Sequence, residues 1–244
     1  MEAYDRYFQV VQDLLNTIRT SERESIAAAG RLAADAIRSG GLIRIFGTGH
    51  SHIIGEDAFF RAGGLVPVLP ISEPQLMLHE GPVASSALER MSGLAQVIFN
   101  KYRFSSNDTL VIVSNSGVNA VPVEMAKIAK QHGLKIIAIV SKAYCRATAE
   151  RKGLKETLVD CADVVVDNHL PPGDALVEIT DGWRMGPGST IAGSLIIHQI
   201  MMAAAETLCK EGVEPPILIS SNMPGAPEHN SNLLERYRDL FWQL

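Results

Sequence analysis

The chain has 244 residues, of which 46% are hydrophobic and 20% are charged, and its formal net charge is −5. This composition is typical of a soluble globular protein, so it excludes a disordered or fibrous chain. Basic residues form no cluster that could neutralise several phosphates, so we expect no nucleic-acid partner. The amino-terminal segment is charged and amphipathic, and the apolar stretches are too short or too polar to span a bilayer. We therefore expect a cytoplasmic protein with no membrane partner.

The cysteines predict neither a disulfide framework nor a thiolate metal site. Cys145, Cys161 and Cys209 are odd in number and contain no C-x-x-C pair. The preferred interpretation of the sequence as a whole includes neither a metal nor a cofactor.

Apolar periodicity predicts two amphipathic helices in the first 40 residues. Tyr7, Leu14 and Ile18 belong to the stripe of the first, and Ser21 and Glu24 have the spacing of a capping box at the start of the second. The stripe of the first helix exceeds what one domain can cover, which predicts a homodimer or homotetramer. Residues 1–40 are interpreted as a helical extension, and residues 41–244 as a single compact domain.

From residue 42 onward, short apolar runs alternate with helical patterns. Strands are predicted at residues 42–46, 65–69, 109–113, 135–140 and 163–166, with residues 217–220 as a candidate for a last strand. Helices are predicted at residues 53–62, 85–100, 122–132, 189–210 and 231–242. A long loop is predicted at 70–82, and a loop with a short helix between the strands at 135–140 and 163–166. Trp183 and Arg184 are interpreted as residues that anchor a loop. Wholly apolar strands that alternate with helices predict an α/β fold with a parallel sheet covered on both faces.

Two polar loops each follow a predicted strand and open a helix. They are Gly47-Thr48-Gly49-His50-Ser51 and Ser114-Asn115-Ser116-Gly117-Val118-Asn119. Glycine lets the backbone approach a ligand, and hydroxyls beside a helix amino terminus suit a phosphate. Neither loop has the lysine of a nucleotide P-loop, and His52 stands where a dinucleotide fingerprint needs glycine. The alternative is that these residues only cap helices, but two such loops in one sheet favour a phosphate ester.

Four segments resemble the sugar isomerase (SIS) domain family, in its phosphoheptose isomerase branch. They are GTGHS, SNSGVN, IVSKAY and GPGST, and the resemblance covers most of residues 1–210. It implies a three-layer α/β/α sandwich with a central parallel five-stranded sheet, and a loop of pattern S-x-S-G-x-[ST] that holds the phosphate of a sugar phosphate. The substrate-binding residues expected from the loops and the resemblance are Gly49, His50, Ser51, Ser114, Ser116, Gly117, Asn119, Ser189 and Thr190.

The acid and base of the reaction cannot be carried over from that family. Its isomerases use a glutamate after the first loop and a histidine on the long carboxyl-terminal helix, whereas here those places fall at Arg61 and near Gly193. Moving a proton between neighbouring carbons suits carboxylates and imidazoles. The candidates are His79 and Glu80 in the long loop, Glu56 on the first-loop helix, and His229 in a Pro/Gly-rich segment that could close over a pocket. Each could instead be a solvated or capping residue.

The expected function is binding of a phosphorylated sugar, with aldose–ketose isomerisation by acid–base proton transfer. One alternative is a non-catalytic sugar-phosphate sensor, because SIS domains also serve as effector modules of regulators. Another is a metal-dependent hydrolase that uses His50, His52 and Glu56, since His52 and Glu56 share one helix face. Met201 and Met202 are interpreted as core residues of the last long helix.

Overall fold

Two amphipathic helices open the fold, as predicted. The computed structural model describes residues 1–240, and its first helices are α1 (Ala3–Ser21) and α2 (Arg23–Arg38). The predicted capping box is wrong, because the residue before α2 is Glu22 and no side chain caps this helix. Glu22 is buried and accepts hydrogen bonds from Ser25 and His169 instead.

The central sheet has five parallel strands in the order β2-β1-β3-β4-β5. On β3, Val111 lies opposite Ile45 of β1 and Ile137 of β4. The strand order reverses at β1, because β2 lies on one side of it and β3, β4 and β5 lie on the other. This switch point opens a crevice between β1 and β3 at the carboxyl ends of the strands. The strands are β1 (Ile43–Gly47), β2 (Val68–Ile71), β3 (Thr109–Val113), β4 (Lys135–Val140) and β5 (Val164–Asp167).

Helices cover both faces of this sheet, which confirms the predicted three-layer α/β/α fold. One face packs on α1, α2, α3 and α9, and the other on α5, α6 and α8. Alternate strand residues supply the two cores, with Ile45 on the first face and Phe46 on the second. The remaining helices are α3 (Ile53–Ala58), α4 (Pro82–Leu88), α5 (Leu94–Lys101), α6 (Ala120–Gln131), α7 (Lys142–Lys152), α8 (Leu158–Cys161), α9 (Ser189–Lys210) and α10 (Ala226–Tyr237).

An antiparallel hairpin, which the sequence interpretation does not predict, lies between β5 and α9. Its strands are β6 (Ala175–Thr180) and β7 (Trp183–Pro187), and Gly182 turns between them with a φ of +78°. The Asp-Gly pair at this turn is a local hairpin signal. The interpretation of Trp183 and Arg184 as loop anchors is wrong, because both lie in β7. The Tyr7 hydroxyl donates to the Pro187 carbonyl at 2.7 Å, which fastens the hairpin to α1.

Several predicted elements differ from the structure. The strand expected at 65–69 is Val68–Ile71, and the helix expected at 53–62 ends at Ala58. The helix expected at 85–100 is divided, because Gly93 adopts a left-handed conformation (φ +86°) before α5. The candidate last strand at 217–220 contributes only an isolated bridge between Leu65 and Ile217. The last helix begins at Ala226 rather than near residue 231, so His229 lies in a helix and not in a loop. Its expected end at Trp242 lies outside the described residues.

Helix α9 has the length and mean hydropathy of a membrane-spanning helix, a test that core helices of soluble proteins also pass. It packs against α2 so closely that a Cβ on Gly30 would lie 2.4 Å from the Cβ of Ala203. The interpretation of its two methionines is half right, since Met201 is buried whereas Met202 is 66% exposed.

Candidate functional site

The two polar loops lie side by side at the switch point of the sheet. The first continues β1 into a 3-10 turn over Gly49–His52 and then into α3. A Cβ on Gly47 would lie 2.5 Å from the backbone carbon of Ser51, so only glycine allows this turn to fold back on the strand. The fold therefore brings Gly49, His50 and Ser51 to the crevice.

The second loop is shaped by a hydrogen bond to its own Ser114 and is packed against Leu158 and Cys145 on the side away from the cavity. The Gly117 N–H donates to the Ser114 hydroxyl at 3.2 Å, and Gly117 has a φ of +62°. Its carbonyl accepts from the Leu158 N–H at 2.8 Å. Cys145 packs against the same glycine, and burial raises the pKa of the Cys145 thiol, so this sulfur stays a neutral packing group. The loop is thus held in one conformation at the start of α6.

A cavity of about 320 Å³ separates the two loops, a size suited to a small ligand. A narrower cleft continues from it towards the start of α9. The cavity is lined by both loops, by Glu89 and Arg90 after α4, and by the polar face of α7. Most of its surface is polar, as a sugar requires.

Nearly all of the predicted substrate-binding residues meet here. Gly49, His50, Ser51, Ser114, Ser116 and Asn119 line the cavity, and Ser189 and Thr190 line the cleft. Gly117 belongs to the second loop and shapes it, but it does not line the cavity. The Ser189 hydroxyl donates to Asp174 at 2.6 Å, so its main bond organises the start of α9.

The four predicted acid–base candidates are not brought together, and none of them lines the cavity or the cleft. The side chains of His79 and Glu80 are 62% and 57% exposed, and His79 Nε2 lies 3.8 Å from Glu80 Oε1. Glu56 lies 3.5 Å from His52 on the outer face of α3. His229 donates to the Ile217 carbonyl at 2.9 Å, a bond that holds the segment before α10.

The histidine cluster of the metal-hydrolase alternative does not form a metal site. His52 turns its Nδ1 towards the Gly49 carbonyl, whereas His50 lines the cavity. Within residues 1–240, no group of three or more His, Cys, Asp or Glu side chains could hold a metal ion.

The structure also brings to this site charged residues that are not among the predicted substrate-binding residues or the four main acid–base candidates. Glu89 lies against Thr48, whose hydroxyl donates to Oε2 at 2.8 Å, and its side chain is 16% exposed. Arg151 and Lys152 end α7 at the cavity wall, and neither forms an ion pair within the described part of the chain. Arg151 and Lys152 carry no local sequence signal, because they reach the loops only through the fold.

The comparisons with known proteins agree with this architecture. The model of the SIS domain matches residues 6–141. A protein named UPF0309 from Geobacillus kaustophilus is 39% identical over 236 residues, which cover 96% of this chain and 94% of that protein. Another from Brucella canis is 42% identical over 239 residues, covering 98% of this chain and 97% of that protein.

Solved structures share the fold at low identity. A phosphoheptose isomerase from Francisella tularensis has a TM-score of 0.55 and 16% identity, and the match covers 84% of this chain and 100% of that chain. The sugar isomerase domain of an RpiR transcription factor from Sphaerobacter thermophilus has a TM-score of 0.50 and 11% identity, covering 97% of this chain and 96% of that chain.

The parallel sheet and its paired switch-point loops define a protein of the sugar isomerase fold. The chain belongs to the SIS domain family, and within it to the group of proteins named UPF0309. The resemblance predicted from the four sequence segments is therefore confirmed.

Proposed function

We propose that this protein binds a phosphorylated sugar in the cavity between its two loops and isomerises it between aldose and ketose forms. One observation carries the proposal: two loops with serine hydroxyls and two positively charged side chains line the same polar cavity. The cations are Arg151 and Lys152, which have no ion-pair partner among residues 1–240. A phosphate dianion placed there would have hydroxyl donors on one side and positive charge on the other.

The phosphate is best placed in the second loop. Ser114, Ser116 and Asn119 line the cavity directly before α6, a helix of 12 residues. The free N–H groups and the dipole at a helix amino terminus favour an anion. The sugar would then extend along the cavity towards Ser51 and the start of α9.

The fold of the phosphoheptose isomerase relative supports an isomerase. The RpiR domain, which covers nearly the whole chain, supports a second candidate function, a non-catalytic sugar-phosphate sensor. Turnover separates the two. We expect phosphates of five-, six- or seven-carbon aldoses to be converted to ketoses, as seen by proton NMR, and to take up deuterium next to the carbonyl in heavy water. Binding of a sugar phosphate without conversion or deuterium exchange would favour the non-catalytic sensor over the isomerase.

The candidates from the sequence, His79, Glu80, Glu56 and His229, stay a prediction for the acid and base. Within one chain they lie outside the cavity, so they could act only if a second subunit or a rearranged segment brought them to it.

We also propose that the protein is cytoplasmic and self-associates as a homodimer or homotetramer. Large apolar side chains remain exposed on α1 (Tyr4 and Phe8), on the hairpin (Trp183 and Met185) and on α9 (Met202). The Tyr7–Pro187 hydrogen bond places α1 beside the hairpin, and exposed apolar side chains on adjacent elements are typical of protein interfaces. Light scattering at micromolar concentration should give a multiple of 26.4 kDa, and a monomer would contradict self-association.

A further inference from the structure

We propose that Glu89 is the catalytic base of this site and that His50 is its acid partner. The inference rests on the proposed isomerisation and deepens it, since it assigns the proton transfer to two residues of the cavity wall.

Among the described residues, the cavity is lined by a single carboxylate and a single imidazole. They are Glu89, which follows α4, and His50, which lies in the first loop. His50 also lines the cleft towards α9, so it lies where the cavity and the cleft meet. Because both groups line one cavity, a sugar bound in it can contact both, and such contact is the first requirement of acid–base catalysis.

Glu89 is held in place by contacts on both sides. The Thr48 hydroxyl donates to Oε2 at 2.8 Å, and Arg90 Nη1 lies 3.0 Å from Oε1. The Glu89 carbonyl accepts from the Val121 N–H at 3.1 Å, which ties the end of α4 to the first turn of α6 behind the phosphate loop. Each carboxylate oxygen has two acceptor positions, so one on each oxygen stays available for a substrate proton.

His50 suits the complementary role. Its side chain is exposed to the cavity, and it makes no side-chain hydrogen bond within the described part of the chain. An imidazole ring has one nitrogen that can donate a hydrogen bond and one that can accept. Both are available in His50, so this side chain can hydrogen-bond a sugar oxygen and pass a proton to it.

The step balances without any further reactant. The Glu89 carboxylate takes the proton from C2 of the aldose, and the electron pair of that C–H bond becomes the C1–C2 double bond of an enediol. The carbonyl oxygen on C1 meanwhile takes a proton from the His50 imidazolium. Glu89 then returns its proton to C1 while the hydroxyl on C2 gives its proton to His50, which leaves the ketose and restores both side chains.

The test compares Glu89→Gln with Glu150→Gln in the full chain. Glu150 undergoes the same chemical change on an exposed part of α7, where it pairs with Arg146. The probes are the phosphates of five-, six- and seven-carbon aldoses and ketoses, followed by deuterium uptake, and inorganic phosphate, followed by calorimetric binding. We expect Glu89→Gln to lower exchange by a hundredfold or more, with phosphate affinity within about twofold of wild type. Glu150→Gln should match wild type in both.

The possible outcomes distinguish the role of Glu89 from the isomerisation on which it rests. Exchange by Glu89→Gln within tenfold of wild type would overturn the role of Glu89 and leave isomerisation standing, and a large loss in Glu80→Gln instead would assign the base to Glu80. Wild-type protein that binds the probes without exchange would overturn isomerisation itself.

Thr48→Val provides the second test if Glu89→Gln does not fold. Loss of the hydroxyl that positions Glu89 should lower kcat while KM stays near the wild-type value. An unchanged kcat in Thr48→Val would count against the proposed arrangement.

Discussion

Substitution of Gly117 by alanine tests whether the phosphate loop depends on the left-handed backbone seen here. Gly117 has a φ of +62°, and an added Cβ would lie 3.1 Å from Cys145 Sγ. Left-handed backbone costs a non-glycine residue about 1–2 kcal/mol, and the crowded sulfur adds to this. Alanine also reduces the conformational entropy of the unfolded chain, which offsets about 0.4–1 kcal/mol of this cost. We therefore expect a net loss of about 1–2 kcal/mol in the free energy of unfolding.

A second glycine offers a matched control. Gly153 has the same φ of +62° at the end of α7, but a Cβ added to it would meet nothing within 4 Å. The loss of stability in Gly153→Ala therefore reports backbone strain alone. The additional loss in Gly117→Ala reports the close contact of the new Cβ with Cys145 Sγ. Adding Cys145→Ala to Gly117→Ala should remove part of that difference.

Differential scanning calorimetry is the assay. For a chain of this size, 1 kcal/mol corresponds to about 2–4 °C in Tm, so Gly117→Ala should lower Tm by about 2–8 °C and Gly153→Ala by less. Gly117→Ala should also weaken phosphate binding, because its N–H bond to Ser114 would move. A Gly117→Ala protein as stable as wild type would refute the strained-loop account.

Three further predictions concern stability. Asp174→Ala removes the acceptor that organises the start of α9 and should lower the free energy of unfolding by about 1 kcal/mol in urea titrations, whereas an unchanged midpoint would contradict that role. Burial alone would raise the pKa of the Glu22 carboxyl, but hydrogen bonds, including one from His169, outweigh it and leave the pKa below 4.5. The stability that this carboxylate contributes is thus present above pH 4.5 and lost as the pH falls through its lower folded value, so Glu22→Gln should flatten acid unfolding in that range. A parallel pH dependence in wild type and variant would be the contrary result. Gly30→Ala should overpack the contact with α9 and lower stability by about 1–3 kcal/mol, and Ala203→Gly in the same chain should restore part of it. No recovery of stability in the double variant would show that the loss in Gly30→Ala does not come from the contact with Ala203.

The sheet and both loops can be predicted from the sequence because their signals are local. Wholly apolar strands such as residues 109–113 predict a buried parallel sheet, and each loop directly follows such a strand. The carboxyl ends of parallel strands share one edge, so the sequence alone places Ser51 and Ser116 on the same side of the molecule.

The rest depends on contacts between distant parts of the chain. Glu89 is 41 positions from Thr48, and only the packing of α4 brings their side chains together. Two features do have local signals, namely the Asp-Gly turn at Gly182 and the helix break at Gly93, but apolar periodicity does not detect them. Glu80 and His79 stand out in the sequence as a polar pair, but in the fold they face solvent.

A thermal-shift comparison of sugar phosphates with their unphosphorylated parents tests the central claim most directly. A ligand at about 100 times its Kd stabilises the folded state by about 2.7 kcal/mol, which for this chain corresponds to a rise in Tm of about 5 °C or more. We expect such a rise with at least one phosphorylated sugar, none with its parent, and none with Ser116→Leu protein that remains folded. An equal shift with the unphosphorylated parent, or an undiminished shift in Ser116→Leu, would contradict a phosphate site between the two loops.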